Sequence, residues 1–175
     1  MQNPRSVIPS SALEQMKKLK LHLSTDPQPQ RNTVAILGTG PTLRDCPDDG
    51  SIQDMEIWGC NGAYVYKRVD KLFVMDKLDI VDKRYPGMVK DLREEIRVPI
   101  FMQDQYPDIP TCVRYPIEDI LHYFHVPYMT TTIAFMIAYA IARNVKRIYF
   151  YGVDLWCAGF NEAEYMDQKP CLDFW

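Results

Sequence analysis

The sequence predicts a single α/β domain, a mostly parallel sheet with helices on both faces, and three observations predict it. Short apolar or β-branched runs recur along the chain, at Thr33–Leu37, Met55–Cys60, residues 71–75, residues 98–102 and Arg147–Tyr151. Helical patterns separate several of them, at residues 79–97 and 130–144, which is the alternation of a sheet layered between helices. The runs also end in glycine or polar residues: Gly38-Thr39-Gly40, Cys60-Asn61-Gly62, Asp76 and Gly152-Val153-Asp154. In open parallel sheets ligands sit outside the carboxyl ends of the strands, so these endings mark the candidate site.

The elements follow in order. Residues 1–32 read as peripheral. Ser10-Ser11 cap a helix running to about Leu23, with Glu14 placed as in a capping box and an apolar stripe of Leu13, Met16, Leu19 and Leu23. Asp26-Pro27-Gln28-Pro29-Gln30 is a linker, and residues 33–175 form the main domain. The helical stretch 79–97 is interrupted at Pro86-Gly87, Pro99 marks an edge position or a strand start, and residues 112–115 suit a further short strand. The helix from Thr130-Thr131-Thr132 is apolar all round and should be buried, with one threonine as its N-cap and Ala134, Ala138 and Ala142 as a close-packing face. The runs Thr33–Leu37 and Arg147–Tyr151 are expected to be adjacent or near-adjacent in the centre of the sheet. Residues 156–165 show no regular period.

Composition narrows the function. The 175 residues suffice for one domain with a core, and 47% hydrophobic with 25% charged residues is ordinary for a globular protein. A net charge of -3 and a pI of about 5.6, with no basic patch, make nucleic acid an unsuitable main ligand. The apolar stretch 133–142 is too short to span a bilayer, and the proline-bearing N-terminus lacks a signal peptide's apolar segment. The five cysteines include no C-x-x-C pair, so reduced thiols in a cytoplasm are expected. His22, His122 and His125 are not spaced for zinc, and no metal site is expected.

Gly38, Thr39, Gly40, Pro41 and Thr42 carry the strongest signal. A strand ending in two glycines either presents bare amides to a phosphate or simply makes a tight β-to-α turn. The third glycine of a dinucleotide fingerprint and the lysine of a Walker loop are both absent. Asn61 can read a ribose, sugar or base edge, or close an Asx turn with Gly62. Asp76 suits ribose hydroxyls, a sugar hydroxyl, a metal, or the cap of the following helix. Thr131 and Thr132 cap a helix whose amino terminus also suits an anion. Gly38, Thr39, Asn61, Thr131 and Gly152 are expected to converge on one crevice.

Taken in order, Gly38-Thr39-Gly40-Pro41-Thr42-Leu43, Cys60-Asn61, Thr131-Thr132 and the segment from Arg147 to Asp154 resemble bacterial lipo-oligosaccharide sialyltransferases. They also resemble the wider group of flagellin-glycosylation and hydroxymethylpterin diphosphokinase-like proteins, whose pattern runs G-x-G-P-[ST]-L, C-N, [TS]-[ST]-x and I-x-L-x-G-x-D. The agreement covers residues 33–156. The nearest resemblance, through residues 151–154, Glu164-Tyr165 and Gln168-Lys169-Pro170, is to a small family common in tailed bacteriophages and prophages. The resemblance implies a Rossmann-like domain in a bacterial host cytoplasm and a metal-free glycosyltransferase with a CMP-sugar donor. Thr39, Asn61, Thr131 and Thr132 would then contact the donor, with Asp76 where that family has an asparagine. Trp156 stands where it has a tyrosine supporting the leaving phosphate, a role Tyr165 would have to take over. The family's catalytic histidine has no counterpart after His125, so Asp154, Glu164 or Asp167 would have to act as base. The ending at Phe174-Trp175 reads as a truncation of the longer family domain. Two other readings stay open: ATP-dependent diphosphoryl transfer with Mg²⁺ on Asp76, Asp79 or Asp154, and a nucleotide-binding module without catalysis. The acceptor and the oligomeric state are not legible.

Overall fold

The structure, a computed structural model, describes residues 31–47, 55–155 and 162–175, with residues 162–165 described as backbone only. The expected helix and linker in residues 10–30, and Trp156 with the first part of the stretch after it, lie outside the described residues. Six parallel strands form one sheet: β1 (Thr33–Leu37), β2 (Met55–Cys60), β3 (Lys71–Val74), β4 (Ile100–Met102), β5 (Cys112–Arg114) and β6 (Arg147–Tyr151). The helices are α1 (Leu78–Arg84), α2 (Met88–Glu94), α3 (Ile117–Phe124), α4 (Thr132–Ala142) and α5 (Glu162–Phe174), with 3-10 turns at Pro41–Asp45 and Asn61–Val65. The domain is a Rossmann-like α/β fold.

The strand order is β5-β4-β3-β2-β1-β6. The chain steps outward from β1 to β5, then returns to lay β6 on the other side of β1 in register from Thr33↔Arg147 to Leu37↔Tyr151. Alternation along the strands sends side chains to two cores. Ala35, Leu37, Ile57, Leu72 and Val74 pack under α1 and α2 with Val81 and Leu92. Val34, Ile36, Trp58, Phe73 and Phe101 pack under α3 and α4 with Ile120, Met136 and Tyr139. In that second core Phe73 stacks on Phe101 at 4.7 Å, and Tyr139 closes over Phe101 at 4.9 Å. Because β1→β2 crosses on one face and β5→β6 on the other, the carboxyl ends of β1 and β6 form the topological switch point.

Two expectations change. β6 is adjacent to β1 as predicted but occupies the sheet edge rather than the centre, and Tyr149 and Phe150 are 41% and 47% exposed. An apolar run also arises where an edge strand buries one flank only, so composition did not separate edge from centre. The stretch from Glu162 is helical as α5, its pattern disguised by Pro170 inside the helix. α4 is buried as predicted apart from exposed Ile141 and partly buried Phe135, and Pro99 precedes β4 as a strand start. Among the described residues no helix is long and apolar enough to cross a membrane.

Candidate functional site

The predicted residues collect at the carboxyl end of the sheet in two constellations. The first joins β1 to β6. Gly38 N donates to Tyr151 O and Gly40 N to Gly152 O, both at 2.8 Å. Gly152 has φ +67°, and its own N–H donates to Thr42 Oγ1 at 3.0 Å. The Thr42 hydroxyl donates to Asp154 Oδ1 at 2.5 Å, and Thr42 N to Asp154 Oδ2 at 3.1 Å. The glycines thus allow close approach of backbone to backbone. A side chain on Gly40 would run into the Asp154 carboxylate, and one on Gly38 into the Gly152 carbonyl. Gly40 itself has φ -74°, so its need for glycine is spatial rather than torsional. Pro41 opens the 3-10 turn, where its missing N–H costs nothing, and the Asp154 carboxylate lies at the amino end of that turn.

The second constellation lies at the ends of β2 and β3. Cys60 is buried, and burial, with the Asp76 charge adding to it, pushes its thiol up to about 12 against a hydrogen bond with Thr132. It is therefore a protonated thiol at neutral pH, unsuited to nucleophilic work. Asn61 adopts a left-handed backbone, φ +46°, and its Oδ1 is buried with no hydrogen-bond partner among the described residues. The side chain meets the Tyr85 hydroxyl. Burial, then the neighbouring Cys60, raises the Tyr85 pKa, with a smaller rise from Asp76; Asn61 and Arg84 act against this. Asp76 is not a helix cap: the N-cap position of α1 is Lys77, and the Asp76 carboxylate instead faces Arg84 Nη1 at 3.7 Å.

α4 brings the threonines to the same end. Thr131 is its N-cap, accepting from Ile133 N at 3.3 Å, while Thr132 is buried against Cys60. The approach to this cap is fastened by α5. Trp175 Nε1 donates to Tyr128 O at 2.6 Å, Cys171 Sγ donates to the same carbonyl, and Thr130 Oγ1 donates to Asp167 O at 3.2 Å. Glu164 and Tyr165 fall in α5, but their side chains lie outside the described residues.

A cleft of about 340 Å³ opens beside these constellations, lined by Thr39, Gly62, Tyr64, Tyr66, Arg84 and Tyr85 among others, with Asp91 at its margin. Tyr66 is 69% exposed, and the Tyr64 hydroxyl donates to Asp91 Oδ2 at 2.7 Å. Asn61 adjoins it through its neighbour Gly62 and through its hydrogen bond with Tyr85. Of the five residues expected to converge on one crevice, Thr39 is among those that line this cleft, whereas Gly38, Asn61, Thr131 and Gly152 are not; the sequence reading did not single out Tyr64, Tyr66, Arg84, Tyr85 and Asp91. The signal for the middle pair was the Pro86-Gly87 break, which ends α1 and turns the chain at Gly87, φ +90°, beside the cleft. Among the described residues no three His, Cys, Asp or Glu side chains are grouped to hold a metal ion.

No family model, no curated protein and no solved structure matches the chain. The functional reading therefore rests on the residues and geometry above.

Proposed function

We propose that this chain binds a nucleotide or nucleotide sugar at the carboxyl ends of β1–β3, as a glycosyltransferase-like domain of the sialyltransferase type with a CMP-sugar donor and no metal. The observation that carries the reading is Asn61. Asparagine tolerates a left-handed backbone, so its φ is not the signal, whereas a buried acceptor without a partner costs about 1–3 kcal/mol. Among the described residues Asn61 carries such an acceptor, at a strand end and against Tyr85, which lines the cleft. A ligand hydroxyl or exocyclic amine supplies the missing donor, and the Tyr64 and Tyr66 rings offer faces to a base or a sugar.

Both oxygens of Asp154 accept from Thr42, which supports the metal-free form, since Mg²⁺ at that carboxylate would compete with those bonds. The same engagement argues against Asp154 as the general base, which leaves Glu164 and Asp167 as the candidates for proton transfer.

Calorimetry with CMP, a CMP-sugar and ATP, each in EDTA and in Mg²⁺, tests the reading. CMP and the CMP-sugar are expected to bind in EDTA and more tightly than ATP, and Asn61→Ala to weaken them about tenfold. Binding of ATP alone, and only with Mg²⁺, would shift the function to diphosphoryl transfer. Binding of none would overturn it.

A further inference from the structure

We infer, on the nucleotide reading above, that Asp91 selects the base: its carboxylate accepts from an exocyclic amine, which favours cytosine over uracil. Asp91 lies in the first turn of α2 and is the carboxylate among the described residues that line the cleft. The Tyr64 hydroxyl donates to its Oδ2 at 2.7 Å. Burial of Tyr64, with the hydrogen bond and charge of Asp91 adding to it, raises the phenol's pKa, so it keeps its proton and stays the donor. This is the one side-chain hydrogen bond of Asp91 among the described residues, and no arginine or lysine pairs with it there. Its Oδ1 is neither bonded nor buried. An ionised carboxylate only accepts, so a ligand group that meets this oxygen favourably must donate.

The rings beside it say which donor. Tyr64 packs against the core and lines the cleft, and Tyr66, also in its wall, leaves its ring largely in solvent. A flat base stacks on such rings with little regard to which base it is. A base lying on the Tyr64 ring brings its edge alongside the phenol oxygen, and so alongside Asp91. What that edge carries then decides the fit. Cytosine presents its N4 amine, which donates to the carboxylate, whereas uracil presents a carbonyl oxygen and sets acceptor against acceptor. A ribose hydroxyl would donate to the same oxygen whatever the base, so the test separates the two. The charge of Asp91 also suits the amino end of α2, so the test reads base preference, which that structural role does not move.

The test compares CMP, UMP and deoxy-CMP by calorimetry on the full chain and on Asp91→Asn and Tyr64→Phe. The full chain is expected to bind CMP about tenfold or more tighter than UMP. Asp91→Asn keeps the shape but can turn an amide N–H toward the uracil oxygen. It is expected to weaken CMP and hold or strengthen UMP, so that the preference falls away, while the ratio of CMP to deoxy-CMP affinity stays as in the full chain. Tyr64→Phe keeps the ring, frees the carboxylate and is expected to lose part of the preference. Equal binding of CMP and UMP to the full chain overturns the assignment and leaves the nucleotide site standing. So does a preference unchanged in Asp91→Asn. A CMP to deoxy-CMP ratio that changes in Asp91→Asn places the carboxylate on the ribose and overturns it too. If Asp91→Asn binds neither nucleotide, Tyr64→Phe decides: a reduced preference supports the assignment and an unchanged one overturns it. Binding of none of the three by the full chain overturns the nucleotide reading and this assignment with it.

Discussion

A methyl group on Gly38 would overlap the carbonyl oxygen of Gly152, and one on Gly152 would press on both the Gly38 carbonyl and the Leu43 side chain. These obstacles are backbone atoms and the Leu43 Cβ, so rotamer changes cannot relieve them. Gly38→Ala is expected to lower stability by about 3 kcal/mol, at the upper end of overpacking costs. Gly87→Ala makes a useful comparison. Its φ is +90° but nothing lies within 4 Å of the added methyl, so only the left-handed penalty of about 1–2 kcal/mol remains. Urea unfolding of the two variants checks the order, and equal losses would refute the backbone-clash argument. The location of this turn was legible in Gly38-Thr39-Gly40, but its partner was not. Nothing local to residues 38–43 announces that Gly152 and Asp154 arrive from the far end of the domain to use the same amides. Asn61 was legible as a strand-end amide, whereas its left-handed backbone and its orphaned oxygen depend on Tyr85 and Cys60 packing around it.

At the scale of elements, legibility followed the strength of the period. β1, β2 and β6 match their predicted runs because each is a short apolar segment bounded by turn residues. The break between α1 and α2 was announced by Pro86-Gly87, since proline at that point cannot continue the hydrogen-bond ladder. α3 was missed: its eight residues sit between Pro116 and Pro127, and it ends on His125 at φ +56°, a left-handed stop carried by a residue less telling than glycine. α4 depends on its cap. With an apolar body and no acidic residue in its first turn, Thr131 is its one side-chain cap. Thr131→Ala should therefore cost about 1 kcal/mol and Thr131→Ser close to nothing, read from denaturant midpoints. A neutral alanine variant would mean that the fastening of residues 128–130 by α5 fixes the helix start by itself.

For the whole molecule, the uneven burial of the sheet sets its dynamics. β1 to β4 are buried along their length, whereas β5 is partly exposed and β6 presents Tyr149 and Phe150 to solvent. Amide hydrogen exchange is expected to be slowest in β1, β2 and β3 and faster in the two edge strands. Protection of β6 equal to that of β1 would contradict an open outer edge. The fold class was readable because alternation and strand endings agree over the whole chain. The position of β6 was not, because an apolar composition does not say how many neighbours a strand has.

The pairing of the last strand with the first carries a consequence for the order in which the protein is made. A growing chain can assemble β1 to β5 stepwise, each strand beside its predecessor, as the segments emerge. The acceptors for Gly38 and Gly40, and the carboxylate that steadies Thr42, all belong to residues 151–154. Until those residues leave the ribosome, the turn after β1 has only its internal hydrogen bonds, such as Leu43 N to Gly40 O, to hold its shape. The crevice is thus the final part of the described sheet to set, and a nascent chain halted before Asp154 would carry most of the sheet without a finished binding end.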